Sequence, residues 1–469
     1  MLLPMSPTDS MFLLGESREH PMHVGALALF TPPDDGDAAD LSALFEDALA
    51  QDVVAPLFRK MARRSVTSLG QWGWDVETEI DLGHHVRRDA LPRPGGMAEL
   101  MVLVSRLHAN LLDRGRPLWE MHLIEGLDDG RLAVYVKIHH ALADGTAAMK
   151  LLRSALNQNP DERGMPAPWE PPVAATAGPR PASNDGAPGT RLLQLPGAAS
   201  STVRNAVGEI AGLVPVLTRT VNHAVHGRGG PVSLTAPHTL LNVPISGARD
   251  FAARTWPLER LRMIAKHADS TINDVVLALC SGALRTYLHS LDALPTDPLV
   301  AMVPVSLRGQ SESEPESGNR LGLLMCNLGT HHADAGQRLA TVRTSMNEGK
   351  ATLRSMSQMQ VLATSALGVA PLAMEMLAGR RGPWRPPFNV VISNVAGTLT
   401  PQYWNGARLD GFYPLSIPTD GQALNITCTS TDDQVVFGLT SCRRTVSDLA
   451  TILDHLDTEL DALEHAVGL

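Results

Sequence analysis

The stretch Lys137-Ile138-His139-His140-Ala141-Leu142-Ala143-Asp144-Gly145 ends an apolar strand with two histidines and then opens a helix on Asp-Gly. Successive side chains of a strand point to opposite faces, so His139 and His140 cannot both look into one cleft. One imidazole is expected to do chemistry while the other supports it. The same divergence argues against a metal held by His139, His140 and Asp144, because ligands must converge on a single ion.

An imidazole with an ordinary pKa of about 6.5 accepts a proton near neutral pH and returns it later, which suits general acid–base work. A lone strand-end histidine is more often a satisfied core residue, but this sequence contains its own control. His84-His85-Val86-Arg87-Arg88-Asp89-Ala90 repeats the histidine and aspartate spacing, yet Ala90 replaces the glycine and Leu91-Pro92-Arg93-Pro94 follows instead of a helix. His84 and His85 are therefore read as strand or surface residues. At the other copy, Gly145 is expected to let the chain turn sharply and a thin substrate pass the helix start. Asp144 is placed to hold the loop rather than to share the proton.

Working outward, strands and helices intermix. Strands are expected at 24–30 and 80–86, helices at 41–50 and 98–112, and 121–124 with 131–138 forms a hairpin around Asp128-Asp129-Gly130. From Pro160 to Thr190 the chain is crowded with Pro, Ala, Gly and Asp and reads as a linker. A second α/β section begins near Thr239, with helices at 257–267 and 273–289, strands at 299–305 and 321–328, and helices at 335–346 and 355–377. Strands at 389–393, 424–429 and 435–440 and a helix at 446–465 complete it. The division is 1–157, a connecting segment 158–238 with a crossover helix, and 239–469.

At 469 residues the chain exceeds one hydrophobic core, and 44% hydrophobic with 19% charged residues marks a globular protein rather than a disordered one. A net charge of -10 argues against a general nucleic-acid binder. Arg59, Lys60, Arg63 and Arg64 read as a solvated helix face. Cys280, Cys326, Cys428 and Cys442 are scattered and suggest neither a zinc site nor a disulfide framework, which fits a reducing cytoplasm. Met1–Ser10 lacks the pattern of a secretory signal. The uncharged run 355–374 reads as a buried or interfacial helix, and 201–221 carries an apolar stripe suited to packing on the protein or lying on a bilayer.

With these residues in view, the chain resembles the bacterial wax ester synthase/diacylglycerol acyltransferase family, a branch of the CoA-dependent acyltransferases that carry HHxxxDG. The resemblance runs over nearly the whole length. It rests on Ser6-Pro7-Thr8-Asp9-Ser10-Met11-Phe12, on Asp113-Arg114-Gly115-Arg116-Pro117-Leu118-Trp119, on Thr271-Ile272-Asn273-Asp274, on Val303-Pro304-Val305-Ser306-Leu307-Arg308 and on Asn389–Gly397. Ala396 stands where the family commonly has proline, so the local loop is expected to differ.

The resemblance implies an α/β fold of two chloramphenicol-acetyltransferase-like, mixed-sheet domains, a pseudo-dimer with a tunnel between them. It further implies transfer of a long-chain acyl group from acyl-CoA to diacylglycerol or a long-chain alcohol, without a covalent intermediate, a permanently bound cofactor or a metal. His140 is the expected general base, with His139, Asp144 and Gly145 in support. Asn273 is the candidate oxyanion donor, an N-cap role being the competing reading, and Asp274 caps or orients. Pro117, Leu118 and Trp119, with Asn273 and Asp274, are placed at the substrate, although the Trp119 ring is expected to pack the strand. Partners are acyl-CoA, the acceptor lipid and a membrane or lipid-droplet surface, with no nucleic acid. The expected location is the cytoplasm or the inner membrane face. Two alternatives remain: a condensation enzyme using carrier-protein thioesters, and a non-catalytic lipid-binding protein.

Overall fold

The computed structural model describes residues 2–33, 36–51, 53–64, 70–171, 224–225, 227, 229–306, 321–378 and 385–469. The 201–221 stripe and 172–190 of the Pro-rich segment lie outside these. The first half contains β1 (Leu3–Pro4), α1 (Pro7–Gly15), β2 (His23–Thr31), α2 (Ala38–Gln51), β3 (Lys60–Arg64), β4 (Trp72–Val76), α3 (Leu82–His85), β5 (Val86–Ala90), α4 (Met97–Ala109), β6 (Trp119–Glu125), β7 (Leu132–His139) and α5 (Gly145–Ser154). The second contains β8 (Arg249–Pro257), α6 (Leu258–His267), α7 (Ile272–Ser290), β9 (Val300–Ser306), β10 (Leu321–Asn327), α8 (Ala335–Arg354), α9 (Gln358–Ala378), β11 (Val390–Thr398), β12 (Tyr403–Trp404), β13 (Ala407–Leu415), β14 (Leu424–Thr431), β15 (Gln434–Cys442) and α10 (Leu449–Ala466).

Two mixed six-stranded sheets, ordered β12-β13-β2-β7-β6-β5 and β10-β9-β11-β14-β15-β8, carry the fold, with a small β1-β4-β3 sheet beside them. All eight residues of β7 are buried. Leu132, Val134, Val136 and Ile138 pack with Phe45 of α2 and Met149 of α5, while Ala133 and Tyr135 pack with Leu100 and Val104 of α4. A strand covered on both faces reads as a continuous apolar run, which is why the sequence pattern found it. β6 and β7 form the expected antiparallel hairpin.

Four features differ from the sequence reading. β13, far along the second half, pairs antiparallel with β2 from Arg408↔Thr31 to Leu415↔Gly25, so a boundary at 239 does not separate the two sheets. Residues 80–86 are not a strand: Asp81 accepts from the His84 N–H, caps α3 and delays β5 to Val86–Ala90. Arg59 ends a short 3-10 turn and Lys60–Arg64 is a strand paired with Trp72–Val76, not a helix face; Arg64 lies over the Trp72 ring at 4.5 Å. Within the presumed linker, Trp169 is fully buried near Phe45 and its carbonyl accepts from the Ala55 N–H, so 158–171 belongs to the first half. Strand pairing and side-chain docking at long range leave no periodicity to read.

The second half centres on α7, buried along most of its length. Gly282 admits the Glu459 carboxyl of α10, since a Cβ there would meet Glu459 Cδ at 1.9 Å. Arg338 of α8 donates from Nη2 to both Glu459 oxygens at 2.6 Å. Burial pushes the Glu459 carboxyl up, against the pull of Arg338. Removing one partner of a buried ion pair strands the other charge, so Glu459→Ala is expected to cost about 3–5 kcal/mol in urea unfolding. Adding Arg338→Met should recover most of that loss; an unchanged midpoint for the single variant would show the pair to be dispensable.

Candidate active site

The strand end is pinned by its neighbours. The His139 N–H donates to the Leu118 carbonyl at 3.0 Å and the His140 N–H to the Met22 carbonyl at 2.8 Å, while the Leu142 N–H donates back to the His139 carbonyl. Asp144 then caps α5, its Oδ1 accepting from the Ala147 N–H at 2.7 Å. Gly145 does not adopt a left-handed backbone, so a sharp turn is not the reason for glycine here. A Cβ at this position would meet nothing within 4 Å, and the space beside the helix start is open.

The two histidines part as the strand geometry requires. His139 is fully buried, and its Nδ1 accepts from the Ala141 N–H at 3.0 Å, which assigns the ring proton to Nε2. Nε2 faces Glu16 Oε1 at 3.3 Å, outside full hydrogen-bond geometry, so the contact is chiefly electrostatic. Glu16 in turn accepts from Arg114 Nε at 2.8 Å and from the Met22 N–H. Burial raises the Glu16 carboxyl, but His139 and Arg114 together outweigh it and hold the pKa below the usual value. A permanent carboxylate therefore sits behind His139.

His140 remains partly exposed and stacks on Phe12 of α1, ring centroids 4.0 Å apart and planes 23° apart. Burial lowers its pKa from 6.5, the Asp144 carboxylate opposing and His139 adding to the fall; its own carbonyl also favours the protonated ring. The imidazole is thus neutral near pH 7. With His139 turned to Glu16 and His140 to Phe12, the pair does not converge on one point.

Trp119 is wholly buried between Phe58 and His85, and its Nε1 donates to the Phe58 carbonyl at 2.9 Å. Pro117 and Leu118 are buried as well, and the Leu118 carbonyl supports the histidine strand by accepting from the His139 N–H. His85, read above as a surface or strand residue, is buried on α3 and stacks on Trp119 at 4.5 Å. A cavity of about 30 Å³, lined by Ala26, Ala28, Val134, Val136 and Leu156, lies on the Ile138 face of β7.

In the second half, Thr271 rather than Asn273 caps α7: its Oγ1 accepts from the Asp274 N–H, and Asp274 Oδ2 from the Thr271 N–H. Asp274 serves this box through Oδ2, while its buried Oδ1 has no hydrogen-bond partner among the described residues. Asn273 Oδ1 accepts from Asn394 Nδ2 at 3.3 Å. Among the described residues no bond joins Asn273 to His140. The halves meet close by, where Arg153 of α5 donates to the Ala396 carbonyl of β11 at 2.8 Å. Phe12, Arg114 and Asn394 lie inside quoted motif blocks but were not singled out there, and Glu16 lies outside every block.

The chain matches the profile of the wax ester synthase/diacylglycerol acyltransferase catalytic domain over residues 5–276 and that of the family's C-terminal domain over 317–464. A Mycobacterium tuberculosis protein named as a diacylglycerol O-acyltransferase is 51% identical over 467 residues, covering 99% of this chain and 91% of that one. A second from the same organism is 46% identical, covering 99% and 100%. The solved wax ester synthase/diacylglycerol acyltransferase from Marinobacter aquaeolei is 39% identical with a TM-score of 0.79 over 100% of both chains. The first condensation domain of the calcium-dependent antibiotic synthetase shares the fold at 16% identity, with a TM-score of 0.56 over 99% of this chain and 96% of that one.

Glu16→Gln keeps the size of the side chain but removes the charge facing His139. Since a displacement of about 1 Å at a reacting group costs about 10²-fold, kcat is expected to fall by up to that factor while KM and the melting temperature stay near the parent's. Steady-state kinetics beside a thermal melt decide it, and an unchanged kcat would remove Glu16 from the catalytic apparatus.

Proposed function

The chain belongs to the wax ester synthase/diacylglycerol acyltransferase family, and on that premise we propose that it moves a long-chain acyl group from acyl-CoA to the hydroxyl of diacylglycerol, of a long-chain alcohol, or of both, with His140 as general base. The observation that carries this reading is the division of labour between neighbouring histidines: one buried and held in a single tautomer, the other partly exposed and neutral. The Nε2 lone pair of His140 is the one assigned to the substrate in this reading. The base lies in the first half and Asn273 in the second, and the reading assigns the reacting groups to a passage where the two halves meet near the Arg153–Ala396 contact.

Nε2 takes the acceptor hydroxyl proton as its oxygen attacks the thioester carbonyl. The resulting tetrahedral oxyanion receives hydrogen bonds from the Asn273 amide, oriented by Asn394. The carbon–sulfur bond then breaks, and the imidazolium returns its proton to the departing CoA thiolate, so no covalent enzyme intermediate forms and no resident metal or cofactor takes part. The Asp144 carboxylate stabilises the imidazolium while it lasts. Methylene differences in an apolar pocket are worth only about 1–3 kcal/mol each, so the reading keeps diacylglycerol and long-chain alcohols both as acceptors.

Purified protein incubated with palmitoyl-CoA and, separately, hexadecanol or dioleoylglycerol should release CoA in step with ester formation. His140→Ala should lower that turnover about 10²- to 10⁴-fold without altering the circular dichroism spectrum. Parent-like turnover in this variant would end the mechanism, and activity restricted to carrier-protein thioesters would favour a condensation enzyme instead. The base must be neutral and its pKa is lowered, so kcat/KM should hold to below about pH 6.5 and fall as acid protonates the ring. Asp144→Asn removes the charge that raises this pKa, so the acid limb should move to still lower pH.

A further inference from the structure

Both histidines of the site are held by one short segment of the chain. Glu16 supplies the carboxylate that faces His139 Nε2 at 3.3 Å, and Met22 supplies the carbonyl that accepts from the His140 N–H at 2.8 Å. Between these two residues the chain closes on itself. Glu16 Oε1 accepts from the Met22 N–H at 3.4 Å, and Ser17 and His20 exchange backbone hydrogen bonds at 3.2 and 3.1 Å. Ser17 Oγ lies 3.0 Å from His20 Nδ1 and accepts from the Glu19 and His20 N–H groups, so the hydroxyl is committed to its own turn. A loop bonded at this many points is rigid, and displacing its outer side carries Glu16 and Met22 with it.

That outer side is fastened to the second half. Arg249, at the start of β8 and only 3% exposed, donates from Nη2 to the Glu19 carbonyl at 2.9 Å, while the Ser246 and Ala248 carbonyls accept from its Nη1. Gly247 lets the two backbones touch, since a Cβ there would fall on the Arg18 carbonyl oxygen. Asp420 Oδ1 faces His20 Nε2 at 3.1 Å and accepts from the Ile245 N–H at 2.8 Å, which fixes the carboxylate to the second half.

A buried guanidinium is costly unless its donors are bonded. Burial lowers the Arg249 pKa to about 10, against the pull of Cys442 and Asp420. Its hydrogen bonds nevertheless go to backbone carbonyls, which fix the course of a chain more than they neutralise a charge. The one carbonyl from the first half belongs to the loop that carries Glu16.

We propose that Arg249 and Asp420 are positioning residues for acyl transfer: through the loop 16–22 the second half sets Glu16 against His139, so the histidine pair is held in place only while the two halves are docked. The proposal rests on the acyl-transfer reading for the step it serves, and it adds to that reading a dependence of the histidine strand on residues of the other half.

The parent, Arg249→Met and Asp420→Asn, each with and without Glu16→Gln, are compared in CoA release with palmitoyl-CoA and hexadecanol beside thermal melts. Asp420→Asn keeps an acceptor for the Ile245 N–H and removes only the charge facing His20, so it decides the matter should Arg249→Met fail to fold. Each single substitution should lower kcat about tenfold. Both KM values should stay within about twofold of the parent's, and Arg249→Lys, which can still donate to the Glu19 carbonyl, should recover part of the loss. In the Glu16→Gln background the same substitutions should cost less than about a further twofold, because their effect runs through the carboxylate already removed, whereas a merely structural role would add its full loss. A second readout needs no turnover. In nuclear magnetic resonance spectra of protein with isotope-labelled histidines, the His139 Nε2 signal, identified by its loss in His139→Gln, should move in Asp420→Asn in the direction it moves in Glu16→Gln. Parent-like kcat in Asp420→Asn, losses that add to that of Glu16→Gln, or an unmoved His139 signal would each overturn the proposal. A parent without acyl-transfer activity whose His139 signal still moves in Asp420→Asn would count against the acyl-transfer reading while supporting the coupling through the loop.

Discussion

Burial of β7 on both faces is the constraint from which the rest of the site follows. A strand with no exposed residue cannot slide by one position without moving apolar side chains off both packed faces, so its register is held. The place where it ends is held with it, and the two histidines at that end must diverge. The β2, β6 and α1 neighbours then complete what the strand begins: Met22 and Leu118 hold the backbone, Glu16 faces one imidazole and Phe12 stacks on the other.

The His139 side of the sheet carries an unusual density of buried charge. Lys137 is fully buried, its Nζ donating to the Leu107 and Asn110 carbonyls at the end of α4 and paired with Glu120 at 3.1 Å. Burial raises the Glu120 carboxyl, but His122 and Lys137 outweigh it and hold the pKa at about 2. On the same side His23 pairs in register with His139, and its Nε2 bonds the His108 carbonyl. Such networks are rigid when satisfied and costly when broken. Here the polar groups lie behind the supporting histidine, while the His140 side of the strand is apolar.

The two halves are built into one another. β13 closes the first sheet with a strand from the second half, Arg153 reaches from α5 to β11, and Asn394 of β11 orients Asn273 of α7. On the proposed mechanism neither half has a complete site, and the base and the amide proposed to hold the oxyanion are set relative to each other by contacts more than a hundred residues apart.

The sequence alone determined the strand, loop and helix that carry His139, His140, Asp144 and Gly145, because burial on both faces and an N-cap leave local signatures. It also determined α7 and the hairpin before the histidines, for the same reason. It did not separate Thr271 from Asn273 as the helix cap, since both residue types favour that position. Nor did it place Glu16 behind His139, pull 407–415 into the first sheet, or bury His85 against Trp119. Those were decided by tertiary structure alone: an ion pair, a strand pairing and a buried ring each join residues distant in the chain, and a contact of that kind imposes no period on the sequence of either partner.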